Sequence, residues 1–166
     1  VQEELPGESR VYSMDMLNDT SVNQVFEAIG QFDFLTFTAV SDEAKLMSPI
    51  KSMTNETAQR GMEKFWGTFN VARAAANHIN KDGAMVFTSS MAIYRPSKNG
   101  ASMMNAASAA VAVFSKALAL EIAPVRGNVV APGLVATGVW TEAQQESYQA
   151  WAPQTLPVGP LGSAEA

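Results

Sequence analysis

The feature that most constrains this chain is the alternation of strand-like and helix-like segments along it. Apolar runs rich in β-branched and aromatic residues occur at Val11–Met14, Phe32–Val40, Ala84–Ser89 and Asn128–Ala131, each closed by polar, Gly or Pro residues. Helical patterns fill the gaps between them. Asp19, Thr20 and Ser21 offer capping oxygens for a short helix through Val25 and Ile29, which Gly30 can close. A longer helix is predicted from Asn55 to Ile79, with Met62, Trp66, Phe69, Ala72, Ala76 and Ile79 on one face. A third, from Ser102 to Ala123, carries one apolar stripe through Met104, Ala107, Val111, Phe114, Leu118 and Ile122. A second stripe runs through Met103, Ala106, Ala110, Val113, Ala117 and Leu120, which predicts burial on two sides. Its alanines would let another helix or a partner subunit approach closely. Strands separated by single helices predict a parallel sheet covered on both faces, the Rossmann-like, doubly wound α/β class. Residues 41–54 and 138–160 read as loops at the carboxyl edge of that sheet, where such folds bind ligands.

A chain of 166 residues, 47% of them apolar, suits one core, so residues 1–166 read as a single Rossmann-like domain. Sixteen acidic against 11 basic residues give a net charge of −5, and no two Lys or Arg are adjacent. That balance repels phosphate backbones and anionic lipid, so neither nucleic acid nor a membrane surface is an expected partner. The apolar run after Ala101 is broken by Asn105, Ser108, Ser115, Lys116 and Glu121, short of the roughly 20 residues that span a bilayer. Zero cysteines exclude disulfides, thiol catalysis and Cys-ligated metal, and accord with a cytoplasmic protein. His78 is the single histidine, and no metal site is expected around it. The chain opens on Val1 with no basic or apolar leader and closes at Ala166 where another helix could begin. It therefore reads as an internal part of a fold that lacks its first βαβ elements and its last strand.

Four segments, in order, carry a resemblance. They are "KFWGTFNVARAA" from Lys64, "GAMVFTSSMA" from Gly83, "SKALALEIAPVRGNVVAPGLVAT" from Ser115 and "LPVGPLG" from Leu156. Together they resemble the second part of the short-chain dehydrogenase/reductase superfamily, from about Asp15 to Gly162. The resemblance implies an NAD- or NADP-dependent oxidoreductase acting on a carbonyl or secondary alcohol of a small-molecule substrate. It also implies a homodimer or homotetramer built through the two long helices. Asp15 stands where the family contacts adenine, and reads equally as an Asp closing a turn. Thr38 and Ala39 stand at the end of the strand beside the nucleotide, and Ser89, on the serine-bearing strand, is likewise a cofactor-binding candidate. Pro132, Gly133, Val135 and Thr137 match the loop that holds the nicotinamide carboxamide, where Gly permits close approach and Thr can bond an amide. Pro-Gly is also a common turn. Trp140, Tyr148 and Trp151 fall in the segment that resembles the substrate lid.

The resemblance breaks at the chemistry. The family uses a Tyr phenol as acid/base, a Lys four residues on, and a Ser that bonds the substrate oxygen. Ser90 matches the Ser. The Tyr position falls on Met103 or Met104, and the Lys position on Ala107 or Ser108. Lys64 occupies the place of the family's helix Asn, and is the candidate for the lost positive charge; it reads otherwise as a solvated helix lysine. Tyr94 is the nearby phenol in the sequence, and reads otherwise as a loop aromatic. A non-catalytic, dehydrogenase-like nucleotide-binding or scaffold protein is the alternative reading.

Overall fold

The computed structural model describes residues 8–41, 46–96, 100–137, 141–156 and 159–163. They form two compact units, one ending at Val130 and the other beginning at Ala131.

The first unit is a parallel sheet of β1 (Phe32–Phe37), β2 (Ile79–Thr88) and β3 (Arg126–Val130), in that spatial order. Register is fixed by pairs such as Leu35 with Met85, Phe37 with Phe87 and Thr88 with Val130. β2 starts before the expected Ala84, and Gly83 explains how it can: a Cβ there would lie 2.3 Å from the Asp33 carbonyl and 2.8 Å from that of Asn80. The two backbones meet at that point, beside the register shift between Phe32 and Phe34.

Helix α1 (Asp19–Ile29) lies where the sequence puts it, but its cap is Asn18, whose side chain accepts the Ser21 N–H at 3.0 Å. Gly30, at φ 74°, closes it by donating to the Phe26 carbonyl at 3.0 Å. The helix expected from Asn55 to Ile79 is two helices, α2 (Asn55–Arg60) and α3 (Glu63–Ala76), and Ile79 already belongs to β2. The break falls at Gly61, whose missing side chain admits the next long helix: a Cβ on it would sit 2.6 Å from that of Met103. The buried face of α3 is Gly67, Thr68, Val71, Ala72, Ala74 and Ala75, rotated from the expected one. Trp66 instead lies 52% exposed, joining Phe65, Phe69 and Phe114 in an edge-to-face aromatic cluster on the flank.

Helix α4 (Ser102–Glu121) buries Ala107, Ser108, Val111, Ser115 and Leu118. In the second stripe Ala106, Val113, Ala117 and Leu120 are exposed, Val113 at 67% and Leu120 at 83%, while Met103 and Ala110 are half-buried, so within this chain the helix is buried mainly on one side. By length and apolar content this helix is sufficient to cross a membrane, contrary to the sequence expectation; its buried stripe packs against β2 and β3. The approach to β3 is close because a Cβ on Gly127 would lie 2.9 Å from that of Ala119. One core unites Val22 and Phe26 of α1, Val71 and Ala75 of α3, Val111 of α4, and Met85 and Phe87 of β2. Helices therefore gather on one face of the sheet, while Phe34 and Val130 on the other are 72% and 53% exposed.

Val11–Met14 forms no strand, because no described strand pairs with it and a strand exists only through its partner. The following residues are held by α3 instead. Asn70 Nδ2 donates to the Met16 carbonyl at 3.1 Å, and Gly67 leaves room for the Met16 thioether, 2.6 Å from a Cβ built there.

In the second unit, β4 (Val135–Ala136) pairs in parallel with β5 (Gly162–Ser163), and α5 (Glu142–Thr155) occupies most of the stretch expected as loop. The signal for α5 is in the sequence: Thr141 and Gln144 form a capping box. Trp140 lies outside the described residues.

Candidate functional site

The parallel strands of the first unit end on one edge, and four of the expected residues follow directly on those ends. Thr38 and Ala39, both exposed, follow directly on the Phe37–Phe87 pair, and Ser89 and Ser90 follow β2. Ser89 is 3% exposed and tied on three sides. Its N–H donates to the Val130 carbonyl at 2.8 Å, and its hydroxyl donates to the Ser108 carbonyl of α4 at 2.9 Å. Its own carbonyl accepts from Lys64 Nζ at 3.4 Å.

Lys64 sits in the first turn of α3 and is half-buried. Its ammonium thus lies one peptide from Ser90. Its own carbonyl accepts the hydroxyl of Thr68, 1% exposed, at 2.8 Å, a bond from residue i+4 back to i that fixes the first turn of α3. Thr68 had no place in the sequence reading of the site, and Ser108 entered it only as a position where the family's Lys is missing. The signal for Thr68 was its spacing of four from Lys64, and Ser108 contributes only a carbonyl, which no sequence pattern marks.

Ser90 caps a short 3₁₀ turn, Met91–Ile93, by accepting the Ala92 N–H at 3.1 Å. That bond uses a lone pair and leaves the hydroxyl proton to be donated elsewhere. Tyr94 ends the same turn and is 68% exposed. Met103 and Met104 occupy the first turn of α4, half-buried, with the Met103 Cβ against Gly61. Ala107 and Ser108 are 0% and 4% exposed, so the space beneath them is already filled. A lysine at either position would need α4 to move.

Asp15 uses its carboxylate locally: Oδ1 accepts the Leu17 N–H at 2.9 Å, while its own N–H donates to the Ser21 hydroxyl at 3.0 Å. That is the Asp-turn geometry weighed from the sequence. Pro132, Gly133, Val135 and Thr137 belong to the second unit. Gly133 has no atom within 4 Å of where a Cβ would lie, Val135 pairs with Gly162, and Thr137 is half-buried. An open glycine followed by a hydroxyl has the chemistry to hold an amide such as a carboxamide. The phosphate end is different. Among the described residues the glycines with positive φ are Gly30, Gly100 and Gly159, and none turns a strand directly into a helix, as a pyrophosphate cradle requires. No cluster of three His, Cys, Asp or Glu that could hold a metal occurs among the described residues.

A parallel sheet with helices packed on it and candidate polar residues after its strand ends is the architecture of the nucleotide-binding α/β class. The chain belongs to the short-chain dehydrogenase/reductase superfamily, and residues 1–166 match the family model for enoyl-(acyl carrier protein) reductase. It is similar to human 3-oxoacyl-[acyl-carrier-protein] reductase, 25% identical over 166 residues, covering 96% of this chain and 68% of that protein. Among solved structures it resembles a small-chain dehydrogenase in complex with NADPH, with a TM-score of 0.82, 29% identity, and coverage of 92% of this chain and 70% of the other. It also resembles an NADPH-bound short-chain oxidoreductase from Pseudomonas aeruginosa PAO1 described as containing an atypical catalytic center. That likeness has a TM-score of 0.75 and 25% identity, over 90% of this chain and 62% of the other. The chain thus spans about two thirds of the length of these relatives.

Proposed function

We propose that this protein is an NAD- or NADP-dependent oxidoreductase of short-chain type, acting on a carbonyl or secondary alcohol through a divergent centre. The observation that carries the reading is the Lys64 ammonium, which reaches the carboxyl edge of β2 from α3, 3.4 Å from the Ser89 carbonyl and one peptide from Ser90. The family membership and the NADPH-bound relatives support the cofactor class.

When bound, the nicotinamide supplies or takes up a hydride at the substrate carbon. On the first unit Thr38 and Ala39 would serve the nucleotide and Asp15 its adenine end; on the second unit, taken by itself, Pro132, Gly133, Val135 and Thr137 carry the chemistry that would bond a carboxamide. Ser90 donates its hydroxyl proton in a hydrogen bond to the substrate oxygen. In the reducing direction that oxygen gains negative charge as the carbon gains hydride, and a fixed cation lowers the cost of the charge. Lys64 is that cation, and its Nζ yields the proton that completes the alcohol, to be reloaded from solvent. Met103 and Met104 cannot exchange protons, so neither residue at the family's Tyr position does this work. Tyr94, 68% exposed, is the other candidate acid. Tyr94→Phe is expected to leave turnover within about twofold, because removing an exposed hydroxyl seldom perturbs its surroundings; a loss of a hundredfold would transfer the acid role from Lys64 to the phenol.

The exposed Val113 and Leu120 of α4 and Trp66 of α3 support assembly as a homodimer or homotetramer through these helices. The cysteine-free composition supports a cytoplasmic location. The second reading, a non-catalytic nucleotide-binding or scaffold protein, is favoured by the methionines at the Tyr position and by the filled space at Ala107 and Ser108.

Calorimetric titration of the intact protein with NADPH and NADH separates the readings. Saturable heat with one cofactor, followed by its oxidation on acetoacetyl-CoA as a soluble 3-oxoacyl thioester or on a panel of simple carbonyls, is the expected result. Binding without turnover would support the scaffold, and no heat at millimolar cofactor would end the oxidoreductase reading.

A further inference from the structure

Ser89 is the residue at which the polar ties of three elements converge, with both of its donors and its carbonyl engaged. Its N–H is fixed on β3, its hydroxyl on α4, and its carbonyl on Lys64 of α3, at 2.8, 2.9 and 3.4 Å. We infer that Ser89 is a positioning residue whose buried hydroxyl, anchored on the Ser108 carbonyl, sets the carbonyl that holds the Lys64 ammonium in place. This rests on the role proposed above for Lys64.

The argument is one of leverage. A lysine side chain has four rotatable carbons and loses considerable entropy when held in one place, so its ammonium stays put only against an acceptor that is itself fixed. Strand pairing ends at Thr88 with Val130, and the Ser89 peptide lies just beyond it, where a chain end would fray. The bonds from Ser89 to Val130 and Ser108 close that gap. At the other end of the lysine, the Thr68 hydroxyl bonds the Lys64 carbonyl at 2.8 Å and fixes the helical turn from which the side chain departs. The acceptor and the stem are thus both held by hydroxyls that are themselves buried, Ser89 at 3% and Thr68 at 1% exposure. Ser89 lies beside Ser90 in sequence, so the same anchor also sets the peptide that carries the Ser90 hydroxyl. Its own hydroxyl is committed to α4, where it donates to the Ser108 carbonyl.

The test uses the intact protein with lysine labelled at ¹³Cε, the Lys64 signal being assigned by its disappearance in Lys64→Arg. In the wild type the Lys64 signal is expected to stand apart from those of exposed lysines such as Lys116, as a side chain in one fixed environment does. In Ser89→Ala it is expected to move to the position of the exposed lysines. With NADPH and acetoacetyl-CoA, kcat is expected to fall by about ten- to a hundredfold, the scale of a small misplacement of a catalytic group. KM should change by less than about twofold, as for a loss confined to the transition state. Ser89→Thr, which restores a hydroxyl, should recover both readouts; should Ser89→Ala not fold, Ser89→Cys, of similar size and a weak donor, takes its place. An unmoved Lys64 signal in a variant that has lost the hydroxyl would overturn the inference, as would a fall in melting temperature alone. The NMR readout needs no activity. If Lys64→Ala turned over normally while the Lys64 signal still moved in Ser89→Ala, the proposed chemistry would fail and the positioning would stand.

Discussion

Lys64→Ala is expected to lower kcat by about a hundredfold or more while leaving the dissociation constant for the cofactor within about twofold. The magnitude follows from what the residue is asked to do. A positioned acid contributes roughly 10² to 10⁴ in rate, and a preorganised donor at a developing oxyanion about 10² to 10³. The structure gives the ammonium an acceptor at Ser89 beside Ser90, and fills with Ala107 and Ser108 the space where α4 would otherwise carry a cation. No second cation therefore takes over at that position. Lys64→Arg keeps charge but not shape, since a planar guanidinium cannot replace a point charge on a flexible stem, and is expected to recover only part of the loss. Steady-state kinetics with NADPH and a 3-oxoacyl thioester, with circular dichroism to verify the fold, measure the outcome. Unchanged kcat in a folded Lys64→Ala would remove Lys64 from the chemistry.

The largest effect on stability is expected from Phe87→Ala, at about 3–5 kcal/mol, the range for deleting a buried aromatic side chain. Phe87 is 0% exposed and lies in the core between β2 and the helices, two residues before Ser89. Its ring fills space shared with α1, α3 and α4, so neighbours from three helices would have to collapse to close the cavity. Phe87→Leu keeps most of the volume and is expected to cost less than about 1.5 kcal/mol. Urea denaturation followed by fluorescence gives both numbers. A loss below about 1 kcal/mol in Phe87→Ala would show that the core relaxes around the cavity, against the range usual for such sites.

The α/β class was legible because it depends on the period of the apolar residues and on their alternation with helices, both of which are written locally. The positions of α1, β2, β3 and α4 followed within a few residues. The misses share a physical cause. The break at Gly61 depends on the approach of Met103, 42 residues away and on another helix. The strand expected at Val11–Met14 needed a pairing partner that lies nowhere in its own sequence. The face of α3 could not be fixed from periodicity because its alanines, Ala72, Ala74, Ala75 and Ala76, fit a core at several rotations, whereas the structure buries Ala72, Ala74 and Ala75 and puts the aromatic cluster on the flank. Helix α5 is different, since Thr141 and Gln144 announced it and the loop reading passed them over.

The candidate site divides in the same way. That Ser90 stands after a strand is a fact of sequence order, and the resemblance sets the family's Tyr and Lys positions at Met103 or Met104 and Ala107 or Ser108, with Lys64 in the place of a helix Asn. They were enough to name the family and to say where its usual chemistry is missing. That the Lys64 ammonium meets the Ser89 carbonyl, that the Ser89 hydroxyl is anchored on α4, and that Ala107 and Ser108 leave no room for a lysine are facts of three dimensions. Each involves residues 19 to 25 positions apart or a measure of burial. Local order sets which groups a chain carries and which elements they ride on; only packing decides which groups share a site, because a hydrogen bond 25 residues long is specified by the whole core between its ends.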